Sequence, residues 1–387
     1  MSDNTGKTVL LVGAGFLGKF FLSEWLGNPY NKLIVMDKQR KGDFFGHPLL
    51  QNYEKDDRIT YVWGSSGDPQ QLEKFFKEDK IDHIVYTAAI ADVPYARTNP
   101  RDTQITNIDN LGIFLNYIGD QHFTGKIVLM SSESVYAKKP EGTPEEDIPF
   151  KETDSTEGHS IYGKSKLGQE EQVHLAEKKY EFLNATIIRS ATMYGMFARA
   201  EQVIPTFIRQ VLTKEQITLF GDGKQTSRDF IHVTDTVNGI IAILNANDSV
   251  TSGQTFNIAS GRETFLLNLA NAIKTLVGQP TEAFDAKKGI PASGFVPIKF
   301  LDFLPGEKGA RMVLNIEKAK KNLKMIDHGK EVAWEPQVDL INGLRSTIFW
   351  TCSVIGYDEQ QMEEVERVIY PEHFKGRSET NPLGNRA

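Results

Sequence analysis

The chain has 387 residues, a formal charge of −7, eight histidines and one cysteine, a length beyond the ~100–200 residues of one ordinary domain and sufficient for a large core with an appended lobe. The acidic balance, without a basic stripe, excludes nucleic acid as a partner, and Cys352 alone cannot make an intramolecular disulfide. The histidine spacings suit no metal, and no apolar run reaches the ~18–20 residues that span a bilayer.

The first seven residues are polar and lead into an apolar run broken by glycines, which does not read as a targeting segment, so the expected compartment is the cytoplasm. From Thr8 onward, short β-branched runs alternate with longer helical segments. The runs are 8–12, 33–36, 59–62, 83–86, 126–130 and 185–188. Near-continuous apolar runs mark strands covered on both faces, and their alternation with helices predicts an α/β fold, a Rossmann-type doubly wound parallel sheet. After Tyr194 the rhythm changes. Helical patterns at 203–212, 235–244 and 266–276, strand-like 229–233 and 255–258, and a Pro/Gly-rich stretch at 289–309 predict a smaller α/β substrate-binding lobe. The expected division is a dinucleotide-binding domain over 1–192 with 229–262 returning to it, and a lobe from 193–228 and 263–350. An extension over 351–387 follows, with a polar, disordered end.

The segment GAGFLG at 13–18 places Gly13, Gly15 and Gly18 directly after the first strand and ahead of a helix. Gly13 permits the tight turn, Gly15 lets backbone approach a pyrophosphate, and Gly18 permits close helix–strand packing. Together with Phe16 and Leu17 these residues open a helix whose N-terminus favours an anion. Asp37 ends the second strand at the offset of a ribose-binding acid; its charge repels a 2′-phosphate and favours NAD over NADP, with Lys38 and Arg40 pulling the other way.

Tyr162 and Lys166 are four residues apart at the start of a helix over 161–178, so they share a face one turn apart. A phenol is a poor base at neutral pH, and a neighbouring ammonium lowers its pKa toward a useful range. Ser132 falls just past the fifth strand, where ligands sit in open α/β sheets, and its hydroxyl is placed to hold a substrate oxygen while Tyr162 exchanges the proton.

These residues, with TAA at 87–89, SSESVY at 131–136, RSATMYG at 189–195, LFGDGKQTSRDFIHVTD at 219–235, FNIASG at 256–261 and WEP at 334–336, resemble the extended short-chain dehydrogenase/reductase family, in its NAD-dependent nucleotide-sugar epimerase/dehydratase branch. The segments run in the family's order to about Trp350. The resemblance implies Ser132, Tyr162 and Lys166 as the catalytic set, Asp68 as an adenine contact, and Ala88 and Ala89 along the cofactor path. It also implies Arg228 as a grip on the substrate diphosphate. The Phe220 ring is a candidate stacking surface for a nucleobase, with core packing as the alternative, and Thr192 is a further candidate substrate contact. A homodimer through helices at 103–119 and 161–178 is implied as well. The chain departs from the pattern at Thr192, where asparagine is common, at Asn110 and Leu111 after the asparagine matched by Asn107, and at Pro305, where a second phosphate-binding arginine is common. Arg311 stands nearby as a substitute.

Family dehydratases carry a glutamate where this chain has Ser134, and a hydroxyl is a poor base for removing a proton beside a ketone. Glu133, one position earlier, is the acid a dehydratase would use. The preferred expectation is an NAD-dependent epimerase that oxidises a secondary alcohol of a nucleotide sugar and returns the hydride. Dehydratase and reductase or dehydrogenase chemistry are the alternatives, and a non-catalytic NAD-binding sensor or scaffold the remaining one.

Overall fold

The computed structural model describes residues 6–370 except 47–49, 79, 141, 279–283, 286–289, 292–294, 304–308 and 328. Pro305 and the polar C-terminal end, 371–387, lie outside the described residues. Seven strands form one parallel sheet: β1 (Thr8–Val12), β2 (Lys32–Asp37), β3 (Ile59–Trp63), β4 (His83–Tyr86), β5 (Lys126–Ser132), β6 (Asn184–Ser190) and β7 (Gln254–Ile258). Their spatial order is 7-6-5-4-1-2-3. Val9, Leu10, Leu11, Ile84 and Val85 are completely buried, as strands covered on both faces require. Leu10, Ile84 and Leu129 pack in one cluster with Phe114, Leu115 and Val173 of the covering helices Asn110–Asp120 and Ile161–Lys179. Each such side chain contributes about 1.5–3 kcal/mol by leaving water.

The strand order reverses between β1 and β4, and the crevice at their carboxyl ends is where ligands bind in doubly wound sheets. The helix expected over 103–119 is broken by a widened π-turn, Gln104–Asp109. Asn107 within it is completely buried. Its side chain accepts from the Ile90 amide at 2.7 Å and donates to the Ser165 hydroxyl at 2.8 Å, which explains why a regular helix gives way there.

By contacts the chain divides into two units. The first comprises Met1–Met193, Ser227–Glu263 and Gly309–Val338, and the second Tyr194–Thr226, Thr264–Lys308 and Asp339–Ala387. Gly309–Val338, expected within the lobe at 263–350, joins the first unit instead. Arg311–Met312 pairs in parallel with Ser227–Arg228, and the fully buried Trp334 donates its indole N–H to the Asp235 carbonyl at 3.3 Å. Within the second unit, Ile298–Leu301 pairs in parallel with Ile217–Phe220. Thr351 to Val354, expected in the extension, complete the helix Leu340–Val354. The helix Glu359–Ile369 follows and is opened by a capping box between Asp358 and Gln361. Among the described residues no helix is long and apolar enough to cross a membrane, and no cluster of His, Cys, Asp and Glu could hold a metal.

Candidate active site

The turn after β1 is shaped by three glycines with different duties. Gly13 has φ +93°, and its amide donates to the Met36 carbonyl at 2.8 Å. A Cβ there would lie 2.5 Å from the Ala88 amide nitrogen, and one at Gly18 would lie 2.8 Å from the Gly13 carbonyl oxygen. At Gly15 a Cβ would meet nothing within 4 Å. Two glycines are therefore needed by the fold itself, while the third borders open space at the start of the helix Phe16–Trp25, which has no side-chain cap. Amide groups at such an end attract an anion, so the loop fits the pyrophosphate of a dinucleotide.

Asp37 braces this loop. Its carboxylate accepts from the Ala14 amide at 2.6 Å and the Gln39 amide at 2.7 Å. Burial pushes the nearby Lys19 ammonium below its ordinary pKa, and Asp37 opposes that shift. The Thr87 hydroxyl donates to the Gly13 carbonyl at 2.6 Å, so Ala88 and Ala89 leave β4 beside the glycine turn. Asp68 accepts from the Gln70 amide at 3.0 Å, with its carbonyl taking the Leu72 amide. It caps the helix Pro69–Glu78. Nearer the end of β3 are Ser65 and Ser66, which no spacing rule singles out; the Ser66 hydroxyl bonds the Tyr86 hydroxyl at 2.9 Å. Arg40 lies 5.8 Å from the ring centre of Trp63, whose indole donates to the Lys38 carbonyl.

The second group forms where β5 meets the helix Ile161–Lys179. Ser132 ends β5 and its oxygen accepts from the Ser134 amide at 3.2 Å. The helix begins at Ser160, whose side chain accepts from the Gly163 amide at 2.9 Å, and presents a half-buried Tyr162. Lys166, one turn on, is 3% exposed. Its ammonium donates to the Met130 carbonyl at 2.8 Å and to Gln169 Oε1 at 2.9 Å. Burial lowers its pKa to about 7, with Glu170 opposing. Gln169, missed in the sequence because glutamine carries no charge signal, also reaches the Ala88 carbonyl at 3.4 Å. The Ser165 hydroxyl donates to the Tyr162 carbonyl at 2.8 Å, and with Asn107 this ties the helix start to the loop after β4.

Glu133 is 6% exposed. Its Oε1 accepts the Thr192 hydroxyl at 2.7 Å, while Oε2 is buried without a hydrogen-bond partner. Burial lifts its pKa to about 8, against the opposing effects of Thr192 and Arg228, which favours the protonated acid. Arg228 donates to the Ser227 carbonyl at 2.9 Å. The Arg311 fork is taken by two carboxylates, Glu263 at 2.6 Å through Nε and Nη2, and Glu145 at 2.7 and 2.8 Å. Phe220 belongs to the second unit and is 40% exposed. His232 accepts from the Thr234 amide and meets Phe20 edge-on at 6.4 Å, and His159 is exposed.

A family model described as "NAD dependent epimerase/dehydratase family" matches residues 9–259. UDP-glucuronate 4-epimerase 4 of Arabidopsis thaliana is 27% identical over 93% of this chain and 78% of its own length. The dTDP-glucose 4,6-dehydratase of an Actinoplanes species is 24% identical over 89% of this chain and 97% of its own. Among solved structures, UDP-glucuronic acid 4-epimerase from Bacillus cereus, crystallised with UDP-glucuronic acid and NAD, superposes with a TM-score of 0.73 at 22% identity. It covers 90% of this chain and 99% of its own. With the glycine turn, the braced Asp37 and a family match spanning β1 to just past β7, the chain belongs to the NAD dependent epimerase/dehydratase family, whose cofactor is NAD.

Proposed function

We propose that this protein is an epimerase that inverts a secondary alcohol of a nucleotide sugar. The observation that carries the reading is the ammonium of Lys166, pinned on the Met130 carbonyl and Gln169 one turn from Tyr162, at the strand end that bears Ser132. When bound, NAD supplies a place for hydride to go and return, so the cofactor is unchanged over a cycle. The Ser132 hydroxyl holds the reacting oxygen, Tyr162 takes its proton, and Lys166 makes that transfer easier by stabilising the phenolate. The keto sugar would then present its other face before Tyr162 returns the proton. Arg228 offers a planar fork suited to diphosphate oxygens, and the glycine turn, Asp37 and Asp68 serve the dinucleotide. In this reading the first unit holds NAD.

A second reading, a nucleotide-sugar dehydratase, draws on Glu133: a carboxyl group that keeps its proton to about pH 8 is suited to protonating a departing hydroxyl. Against it, Ser134 supplies no strong base. Family resemblance supports a homodimer in the cytoplasm, with Ile113 and Leu175, 40% and 54% exposed on the two covering helices, as the pairing face.

The test is incubation of the purified protein with UDP-, GDP-, CDP- and dTDP-hexoses and hexuronates, with products identified by NMR. Inversion at one carbon without net reduction of NAD is expected. Water loss from the sugar would replace this reading with the dehydratase.

A further inference from the structure

Tyr162, Lys166 and Glu170 follow one another at four-residue steps along the helix Ile161–Lys179. Glu170 is 2% exposed, and it reaches two strands at once. Its Oε1 accepts the hydroxyl of Ser131 in β5 at 2.5 Å and Nε of Arg189 in β6 at 3.1 Å, while Oε2 accepts Nη2 of Arg189 at 2.8 Å. Arg189, 8% exposed, donates its remaining nitrogen to the Glu152 carbonyl at 3.0 Å and lies 4.8 Å from the centre of the Tyr136 ring. The Ser131 contact adjoins the Met130 carbonyl that receives Lys166. Helix and strand are thus clamped at two consecutive residues of β5.

We propose that the buried Glu170–Arg189 pair is a positioning device for Tyr162 and Lys166, fixing their helix against the strand that ends in Ser132 and balancing the charge around the Lys166 ammonium. This rests on the reading of Tyr162 as proton acceptor and Lys166 as its electrostatic partner. A buried ion pair is often no more stabilising than a well-packed apolar substitute, so its presence asks for another reason. Here the reason is local neutrality. The charged and titratable groups around the pair are Lys166 and His174 on the same helix, Tyr136 and Glu152 from the segment after β5, and Lys318 from the helix Glu317–Asn322. Arg189 cancels Glu170, and Glu170 in turn offsets the burial that drives the proton from Lys166.

The two halves of the pair make opposite predictions. Glu170→Gln leaves two cations without their shared anion, and the titration midpoint of Lys166 falls by on the order of one pH unit; Arg189→Gln leaves the anion uncancelled, and the midpoint rises by a similar amount. Lys166 is followed directly in protein labelled at lysine Cε, by NMR, with Lys166→Met assigning its signal. A purely structural pair would make both variants behave alike. Midpoints that move apart support the proposal, and midpoints that stay or move together overturn it. Should the neutralised variants fail to fold, Arg189→Lys and Glu170→Asp carry the test, since both keep the charge and alter the geometry of the pair. For them kcat falls on the order of tenfold with KM and the Lys166 midpoint unchanged; a shifted midpoint or an unchanged kcat overturns the proposal. Tyr162→Phe serves as the separate control: retained turnover would remove the proton-acceptor reading, whereas an inactive Tyr162→Phe with unresponsive Lys166 midpoints would remove the ion-pair proposal alone.

Discussion

Gly163 lies so close to Ser134 that a Cβ on it would sit 2.4 Å from the Ser134 carbonyl oxygen. This approach brings the residue after Tyr162 against the turn that follows Ser132. The turn is held by the Ser132 side chain at the Ser134 amide, and the helix start is held by Ser160 at the Gly163 amide. Two capped ends therefore meet at a point that admits only hydrogen.

Gly163→Ala is expected to push helix and turn apart. The overpacking cost is about 1–3 kcal/mol, measurable by urea unfolding. Turnover per folded molecule should also drop, because Tyr162 and Ser132 no longer share their geometry. A variant with wild-type stability and turnover would show that the contact is not tight.

The glycine turn separates folding from binding. Gly13→Ala should cost about 1–2 kcal/mol or more, since Gly13 occupies a left-handed conformation and a Cβ would strike Ala88. Gly15→Ala should leave unfolding by denaturant unchanged yet weaken NAD, because its Cβ enters the space a pyrophosphate needs. The check is the rise in melting temperature with added NAD, which reports affinity by mass action. An undiminished NAD-induced rise in Gly15→Ala would refute the placement.

Two buried groups predict opposite dependences of stability on pH. The Glu133 pKa is about 8 in the folded chain against about 4.3 unfolded. The folded state therefore holds the extra proton, and stability is lost as pH rises from about 4.3 through 8. The Lys166 pKa is about 7 folded against about 10.4 unfolded, so stability grows as pH rises through that upper window. Glu133→Gln should flatten the decline in melting temperature between pH 5 and pH 8 and leave the alkaline gain intact. An unaltered decline would mean that Glu133 is ionised in the folded state.

If Arg311 serves a diphosphate, Glu145 competes for it. Glu145 is exposed and bonds the outer edge of the guanidinium, whereas Glu263 holds the inner edge. Glu145→Ala should then lower KM for the nucleotide sugar severalfold with kcat unchanged, most clearly at low salt. An unchanged or raised KM would assign the cluster to structure alone.

The parallel sheet was legible in the sequence because strands buried on both faces are written as uninterrupted apolar runs: 8–12 and 83–86 coincide with β1 and β4. The helix 203–212 coincides with Val203–Leu212, since a 3.6-residue apolar period needs no distant partner to be recognised. The break at Gln104–Asp109 was not legible. It exists because Asn107 bonds to Ile90 and Ser165, residues 17 and 58 positions away. Gly309–Val338 likewise joined the first unit through pairing that no local pattern encodes.

By itself the sequence determined the sheet, the glycine turn and the spacing of Tyr162 and Lys166, all of which depend on residues near one another in the chain. Only the tertiary structure decided the ionisation of the side chains. Lys166 and Glu133 are displaced from their ordinary pKa values by burial beneath neighbouring elements, and desolvation is a property of the surroundings that no single segment carries. The same holds for the partners of Glu170 and Arg311, which come from strands and loops brought together by folding.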